Sequence, residues 1–254
     1  MRNPSQSPQL AQTAAREQLP IMVSTMDVDS DESVHQAMKA IQREHGPIDV
    51  LVNNAGVERV GSVEEVPLSD FRAVMETNYF GALRCIQAVV PHMRQRQSGC
   101  IINVTSIAGR IASPPLTPYS ASKWALEALS EALAGEVKTF GVRVAIVEPG
   151  IIDTAMARRM EDPAADSPYH QRERFTALFA SALKNPVPPS VVGRKIVEIA
   201  ESGTWQLRHP VGPDAVPFLE WRNGMSDEEW VDLNASNDET YFESLRRGFG
   251  QKAA

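Results

Sequence analysis

A chain of 254 residues with 43% hydrophobic content is long enough for one sizeable core, and a single domain over 1–254 is expected. Its 32 acidic residues outnumber 25 basic ones for a formal charge of −7, which argues against nucleic acid as a partner, since phosphate binding needs clustered Lys and Arg. No apolar run reaches the ~20 residues that cross a bilayer, and Met1 to Leu19 is too polar for a signal peptide core, so the chain reads as soluble and cytoplasmic, with no membrane partner.

Ile21 to Val28 is a β-rich apolar run, and Asp29 with Glu32 three residues on makes a capping pair for a helix to His45. Gly46-Pro47 stops it. Ile48 to Val52 follows as a short apolar strand without polar alternation, the pattern of a strand buried on both faces, and it runs into the turn Asn53-Asn54-Ala55-Gly56. Ser69 opens a long helix carrying Phe71, Val74, Met75, Leu83, Ile86, Val89 and Val90 near helical spacing, ended by Gly99. The rhythm repeats with strand Cys100 to Val104, helix Pro118 to Phe140, strand Val142 to Val147 and then Pro149-Gly150. Such alternation predicts βαβ units and a parallel sheet covered on both faces. Residues 151–190, rich in charge and proline, read as a loop-plus-helix excursion on the substrate side. Ser190 caps a helix to Glu201, Trp205 to Arg208 is a last strand, and Ser226 to Gly248 forms short helices within a C-terminal segment over 205–254. Cys85 and Cys100 read as buried thiols, and the five histidines show no HxxxH or HxH spacing, so no metal site is indicated.

In open parallel sheets ligands sit beyond the carboxyl ends of the strands. Four positions there stand out: Asp27, the Asn53 to Gly56 turn, Ser106 and Pro149-Gly150. Tyr119 and Lys123, four residues apart, share one helix face and can reach a common ligand. An ammonium ~4 Å from a phenol is worth about 4 kcal/mol at an effective dielectric of ~20, roughly three pKa units at most, enough to make tyrosine a workable acid or base. That spacing alone arises often on solvated helix faces. Ser106, thirteen positions before Tyr119 in a strand-ending Asn103-Val104-Thr105-Ser106 segment, adds a hydroxyl able to hold a substrate oxygen.

With Asn53-Asn54-Ala55-Gly56, Asn78 in Thr77-Asn78-Tyr79-Phe80-Gly81, Ser106, Tyr119 with Lys123, and Pro149-Gly150 followed by Thr154, the sequence resembles the short-chain dehydrogenase/reductase family in its single-domain YxxxK form. The pieces keep the family's order and spacing from about Met26 to Thr154. The resemblance implies a three-layer Rossmann-like α/β fold and an oxidoreductase moving hydride between NADP(H), or NAD as the alternative, and a secondary alcohol or ketone. It implies that Tyr119 acts as proton donor or acceptor, that Lys123 binds the nicotinamide ribose and depresses the tyrosine pKa, and that Ser106 holds the substrate oxygen. Asn78 would bend its helix for a water relay. Asn53, Ala55 and Gly56 would line the adenine-ribose side, Asp27 and Val28 the adenine, and Pro149, Gly150 and Thr154 the carboxamide. A homodimer or homotetramer through the helices Ser69 to Gln97 and Pro118 to Phe140 is implied as well.

The family pattern opens with a strand, a glycine-rich turn and a helix that have no counterpart here, where the first glycine is Gly46. Residues 1–20 then read as the remnant of the family's second strand and the following helix region, with Arg2 in the place of a reader of the adenosine 2′-phosphate. The expected sheet lacks its first strand, leaving Ile48 to Val52 with an unpaired edge and Ile21 to Val28 without its neighbour. Two accounts are carried: a start at an internal methionine of a longer protein, which is preferred, or an inactive truncated product or nucleotide-binding partner subunit. An epimerase or dehydratase is the less favoured enzyme alternative, since no sugar-nucleotide segment is evident. An apolar substrate is suggested by Met156, Met160, Phe175, Leu178, Phe179 and Leu183, which also suit ordinary helix packing.

Overall fold

β-branched and apolar runs build the sheet. Val50–Asn53 (β1), Gly99–Val104 (β2), Val142–Pro149 (β3) and Arg208–Val211 (β4) pair in the order β1-β2-β3-β4, all parallel, with Leu51 opposite Ile101, Ile102 opposite Ala145 and Val147 opposite His209. The computed structural model describes residues 2–6, 8–160 and 167–249.

Strand alternation sorts side chains by face. Leu51, Ile101 and Val144 pack with Cys85, Ile86, Val89 and Met93 of helix α4 (Gly81–Arg96) and with Leu133 and Val137 of α5 (Thr117–Val137). Cys100, Ile102, Val104, Ala145 and Val147 face the other way, against Ile196 and Ile199 of α8 (Ser190–Ser202). The expected three-layer arrangement is therefore present. The remaining helices are α1 (Pro8–Arg16), α2 (Asp31–His45), α3 (Leu68–Met75), α6 (Ala155–Arg159), α7 (Gln171–Ala182), α9 (Ala215–Asn223), α10 (Asp227–Ala235) and α11 (Asp238–Gly248). Among the described residues no helix is long and apolar enough to cross a membrane.

Several elements differ from the sequence reading. Ile21 to Val28 is not a strand, because β1 is a sheet edge and no described strand offers this segment the N–H and C=O groups a ladder needs. It is held instead by Met26 and Val28, which pack on the core beside Val34 and Met38 of α2. Near the start, Arg2 and Asn3 have no regular structure, and the region's one α-helix is α1. The cap of α2 is Ser30, whose hydroxyl accepts from Ser33 N at 3.2 Å, while Asp29 turns its own N–H to the Asp27 carboxylate at 3.1 Å.

The long helix begins at Leu68 and breaks into a π-helical turn at Glu76–Phe80 before continuing as α4. It ends at Gln97, in the left-handed region at φ 53°, and Gly99 belongs to β2, where a Cβ would lie 2.5 Å from Met93. Ser190 is the first residue of α8 and not its cap, with Pro189 before it. The last strand runs over Arg208–Val211 and not Trp205 to Arg208: Trp205 is half-exposed, and Pro210, which lacks an N–H, suits this outer strand. Within the excursion 151–190, residues 161–166 lie outside the described residues.

Candidate active site

The carboxyl ends of β1, β2 and β3 open onto one cleft of about 670 Å³, lined by Asn54, Gly56, Ser106, Tyr119, Lys123, Pro149, Gly150 and Thr154, with Met156 of α6 and Met160 just after it on its outer side. Ser106 follows β2, where its hydroxyl accepts from Ala108 N at 3.1 Å and lies 3.4 Å from the Pro149 carbonyl. α5 begins with Pro118 in its first turn, whose fixed φ suits a helix start, and this places Tyr119 at the cleft. The Ser106 hydroxyl is the polar side chain that acts on the Tyr119 phenol.

Lys123 is 4% exposed, donates to the Val104 carbonyl at 2.9 Å, and has its ammonium 5.5 Å from the centre of the Tyr119 ring. The expected lowering of the tyrosine pKa is not found. Burial pushes the phenol up to about 12, with the Ser106 hydroxyl pulling down and the nearby Glu58 carboxylate adding to the rise. Lys123 is itself pushed down to about 8 by burial, with Glu127 opposing. An ammonium directed at a carbonyl and partly relieved of its charge cannot deliver the full Coulomb shift that the spacing suggested.

Asn78 sits in the π-helical turn. Its Oδ1 accepts from Val57 N at 2.8 Å, and its Nδ2 donates to the Val57 carbonyl and to Ser122 Oγ, both at 2.9 Å. The side chain thus pins the segment after β1 to α5, next to Gly56, where a Cβ would meet Asn78 Oδ1 at 3.4 Å and Lys123 Nζ at 3.7 Å. π-turns of this kind recur at functional sites.

The other expected residues divide. Thr154 lines the cleft while its hydroxyl caps α6 through Ala157 N at 3.1 Å. Asn53 is buried and donates to Asn103 Oδ1 at 2.8 Å, a sheet contact, and Ala55 is exposed beside the cleft. Arg2, Asp27 and Val28 are outside the lining. Arg2 is half-exposed and paired with Asp27 at 3.2 Å and Asp29 at 2.8 Å, and Val28 packs on Gly81, where a Cβ would approach it to 2.8 Å. Of the apolar candidates, Met156, Met160 and Phe179 line the cleft, and Phe175, Leu178 and Phe179 line a second cavity. Leu183 is buried elsewhere.

That second cavity, about 100 Å³, adjoins Ser106, Gly150 and Ile151 and is walled by Phe175, Leu178, Phe218, Trp221, Trp230 and Tyr241. The sequence reading missed its aromatic wall from α9 to α11. It also missed Asp214, whose Oδ2 accepts from Ile151 N at 2.7 Å and whose Oδ1 is buried without a partner among the described residues. A Cβ on Gly150 would lie 2.2 Å from that oxygen, so glycine is required there. The last feature missed is Glu58, buried on the cleft wall.

A nicotinamide cofactor fits the described residues at one end. Lys123 spends one of its three N–H donors on protein, and the cleft between Gly56, Gly150 and Thr154 is closely walled but open. At the pyrophosphate end the residues before Gly46 contain no glycine-rich turn opening a helix, the usual source of backbone N–H groups for phosphate.

A model of a family described as short chain dehydrogenase matches residues 1–165. The oxidoreductase BOA17 of Botryotinia fuckeliana is 33% identical over 245 residues, spanning 93% of this chain and 88% of its own. Retinol dehydrogenase 8 of Bos taurus is 33% identical over 220 residues, 82% of this chain and 70% of its own. Among solved structures, a short-chain dehydrogenase from Streptomyces avermitilis superposes with a TM-score of 0.76 at 30% identity, over 98% of this chain and 88% of that one. A gluconate 5-dehydrogenase from Burkholderia cenocepacia, in complex with NADP and tartrate, gives 0.71 at 25% identity over 85% and 83%.

Proposed function

Because this chain belongs to the short-chain dehydrogenase family of oxidoreductases, we propose that it transfers hydride between NADP(H) and an apolar secondary alcohol or ketone, with Tyr119 moving the proton. The observation that carries this reading is the convergence of Ser106, Tyr119 and Lys123 on one wall of a cleft at the strand ends. The nicotinamide, when bound, carries the hydride, and the residues do the rest. Ser106 holds the substrate oxygen, Tyr119 gives or takes its proton, Lys123 binds the ribose hydroxyls, and Asn78 holds the bent helix for a water relay. Gly56, Pro149, Gly150 and Thr154 shape the ribose and carboxamide ends. A phenol held high keeps its proton at neutral pH, which suits the carbonyl-reduction direction.

The NADP preference is supported by the NADP-bound structural relative and by Arg2, the basic residue paired with Asp27. The apolar substrate is supported by the aromatic cavity adjoining Ser106. Phe80 and Trp124, exposed on the long π-broken helix and on α5, support self-association through those helices, and the buried free thiols of Cys85 and Cys100 are consistent with a cytoplasmic protein.

The experiment is an NADPH titration followed by nicotinamide fluorescence, with NADH as control, then turnover of a ketone series by wild type and Tyr119→Phe. Saturable micromolar binding, with Tyr119→Phe losing about 10²–10⁴-fold in rate while still binding, supports the reading. Turnover only of small polar ketones rejects the apolar substrate. A second reading is a nucleotide-binding partner subunit without catalysis. Binding with turnover indifferent to Tyr119→Phe would select it.

A further inference from the structure

We propose that Asp214 is a positioning residue that fixes the partition between the cleft and the aromatic cavity, and through it the seats of the cofactor and of the apolar part of the ketone. This rests on the reading of the cleft as a hydride-transfer site. The partition is the backbone at Gly150 and Ile151, which line both spaces, whereas Asp214 lines neither. Its Oδ2 accepts from Ile151 N at 2.7 Å across 63 positions of chain, and so holds the partition from outside both spaces.

Two observations mark this contact as a built one. Asp214 stands at the N-cap position of α9, where an aspartate ordinarily accepts from N–H groups of its own helix. It makes no such bond, and its carboxylate goes to Ile151 instead. The carboxylate also lies in a slot kept clear by two glycines, since a Cβ on Gly150 or on Gly212 would run into Oδ1.

The neighbouring ties on this stretch of chain come from backbone. Gly150 N donates to the Val211 carbonyl at 2.9 Å and Asp153 N to the Val187 carbonyl at 2.8 Å, and between them Ile151 N has the Asp214 side chain. Past that bond the side chains part. Ile151 packs on the cluster of Phe218 and Trp221, while Ile152 lines the cleft two residues before Thr154. Releasing Ile151 N therefore displaces a wall of the aromatic cavity and a wall of the cleft together. Ser106 follows β2, and Tyr119 and Lys123 are carried by α5, so they keep their places and the loss falls on binding more than on proton transfer.

The test compares Asp214→Ala, Asp214→Ser and Asp214→Asn with Val89→Ala, a buried core variant in α4 that lines neither space. Serine can cap α9 but ends one bond short of Ile151, so it keeps the test usable if the alanine variant unfolds, and asparagine keeps an acceptor for the Ile151 N–H. With acetophenone as ketone, Asp214→Ala and Asp214→Ser should raise its KM and the NADPH Kd about 10-fold or more, the order of one lost hydrogen bond to a charged group, with kcat changed less than about 3-fold. Asp214→Asn should stay within about 3-fold of wild type. Isotope-labelled isoleucine NMR, with Ile151→Val assigning the resonance, should show the Ile151 amide exchanging at least about 10-fold faster in the alanine and serine variants and slow in Asp214→Asn. Unchanged exchange at Ile151, or binding constants equal to those of Val89→Ala at the same loss of melting temperature, or an asparagine variant no better than serine, overturns the proposal. A wild type that binds no NADPH and reduces no ketone removes the hydride-transfer reading, and the exchange of the Ile151 amide then decides on Asp214 by itself.

Discussion

The two outer strands of the sheet are finished in different ways. β4 carries Pro210, which offers no N–H to a further strand, and Arg208, which is tied to Glu127 at 3.0 Å and also pairs with Glu131 on α5. Behind it α9, α10 and α11 close an aromatic cluster in which Trp221 stacks edge-on against both Trp230 and Tyr241. β1 has none of this. Leu51 is buried against α4, whereas Val50 and Val52 are 38% and 37% exposed, and Ile21 and Met22 are exposed as well. One side of the molecule is closed by packing and paired charge, and the other depends on loosely held polar contacts such as Arg2 with Asp27 and Asp29. The comparison teaches where stability resides and which edge is left open to pair with another chain.

The largest effect should come from opening the closed side. Trp221 is 6% exposed, and its indole N–H donates to Ser244 Oγ at 3.2 Å. Trp221→Ala should cost about 3–5 kcal/mol in urea unfolding and loosen α11 from α9. A cost below about 1 kcal/mol would mean that the aromatic cluster is not what holds this side together.

Next comes the buried centre between the two sides. Lys123 is held down to about 8 from its ordinary 10.5 by burial. Between those values the unfolded chain binds a proton that the folded chain does not, so stability rises with pH through that window. Below about 8 both states carry the charge and the burial penalty is fully present. Compared with Lys123→Met, the wild type should gain on the order of 2–3 kcal/mol from pH 8 to pH 10, with the scan ending before Tyr119 contributes its opposite slope. Parallel pH profiles for the two proteins would remove the buried ammonium from the account.

A smaller effect belongs to the open side. Arg2 is half-exposed in both of its ion pairs, so Arg2→Ala should change unfolding by no more than about 1 kcal/mol. If Arg2 also reads a 2′-phosphate, the same variant should lose preference for NADPH over NADH in fluorescence titration. Unchanged preference would confine Arg2 to its carboxylate partners.

What was legible in the sequence follows the same division. Ser106, Tyr119, Lys123 and the Pro149-Gly150 turn could be expected at one cleft because each follows a strand or sits on a helix at short range, and the structure places them on the lining of one cleft. Ile21 to Val28 has strand composition, yet a strand is a relation to a partner, and composition carries no record of whether one is there. Glu58 and Arg159 are 101 positions apart, with no local pattern to link them. α9 lies between the expected strand and the expected terminal helices; its Pro217 sits in the first turn, where proline gives up only an N–H that would be unbonded anyway. The phenol's high pKa was missed for a related reason: four-residue spacing gives proximity, while the direction of the ammonium and the depth of burial are set by the tertiary fold.

The smallest expected effect on stability is at β1 itself. Val50 is exposed, pairs in register with Cys100, and does not line the cleft. Val50→Lys should therefore shift unfolding by less than about 0.5 kcal/mol, since its methyl groups bury little. Its effect should appear in solution behaviour, because a lysine on an outer strand opposes pairing with another chain. Static light scattering across a concentration series should show less association for Val50→Lys than for wild type, while a matching substitution on the β4 side, Val216→Lys on the exposed face of α9, should change nothing. Equal association in all three proteins would locate the self-associating surface away from β1, leaving the exposed Phe80 and Trp124 of the two long helices as its carriers.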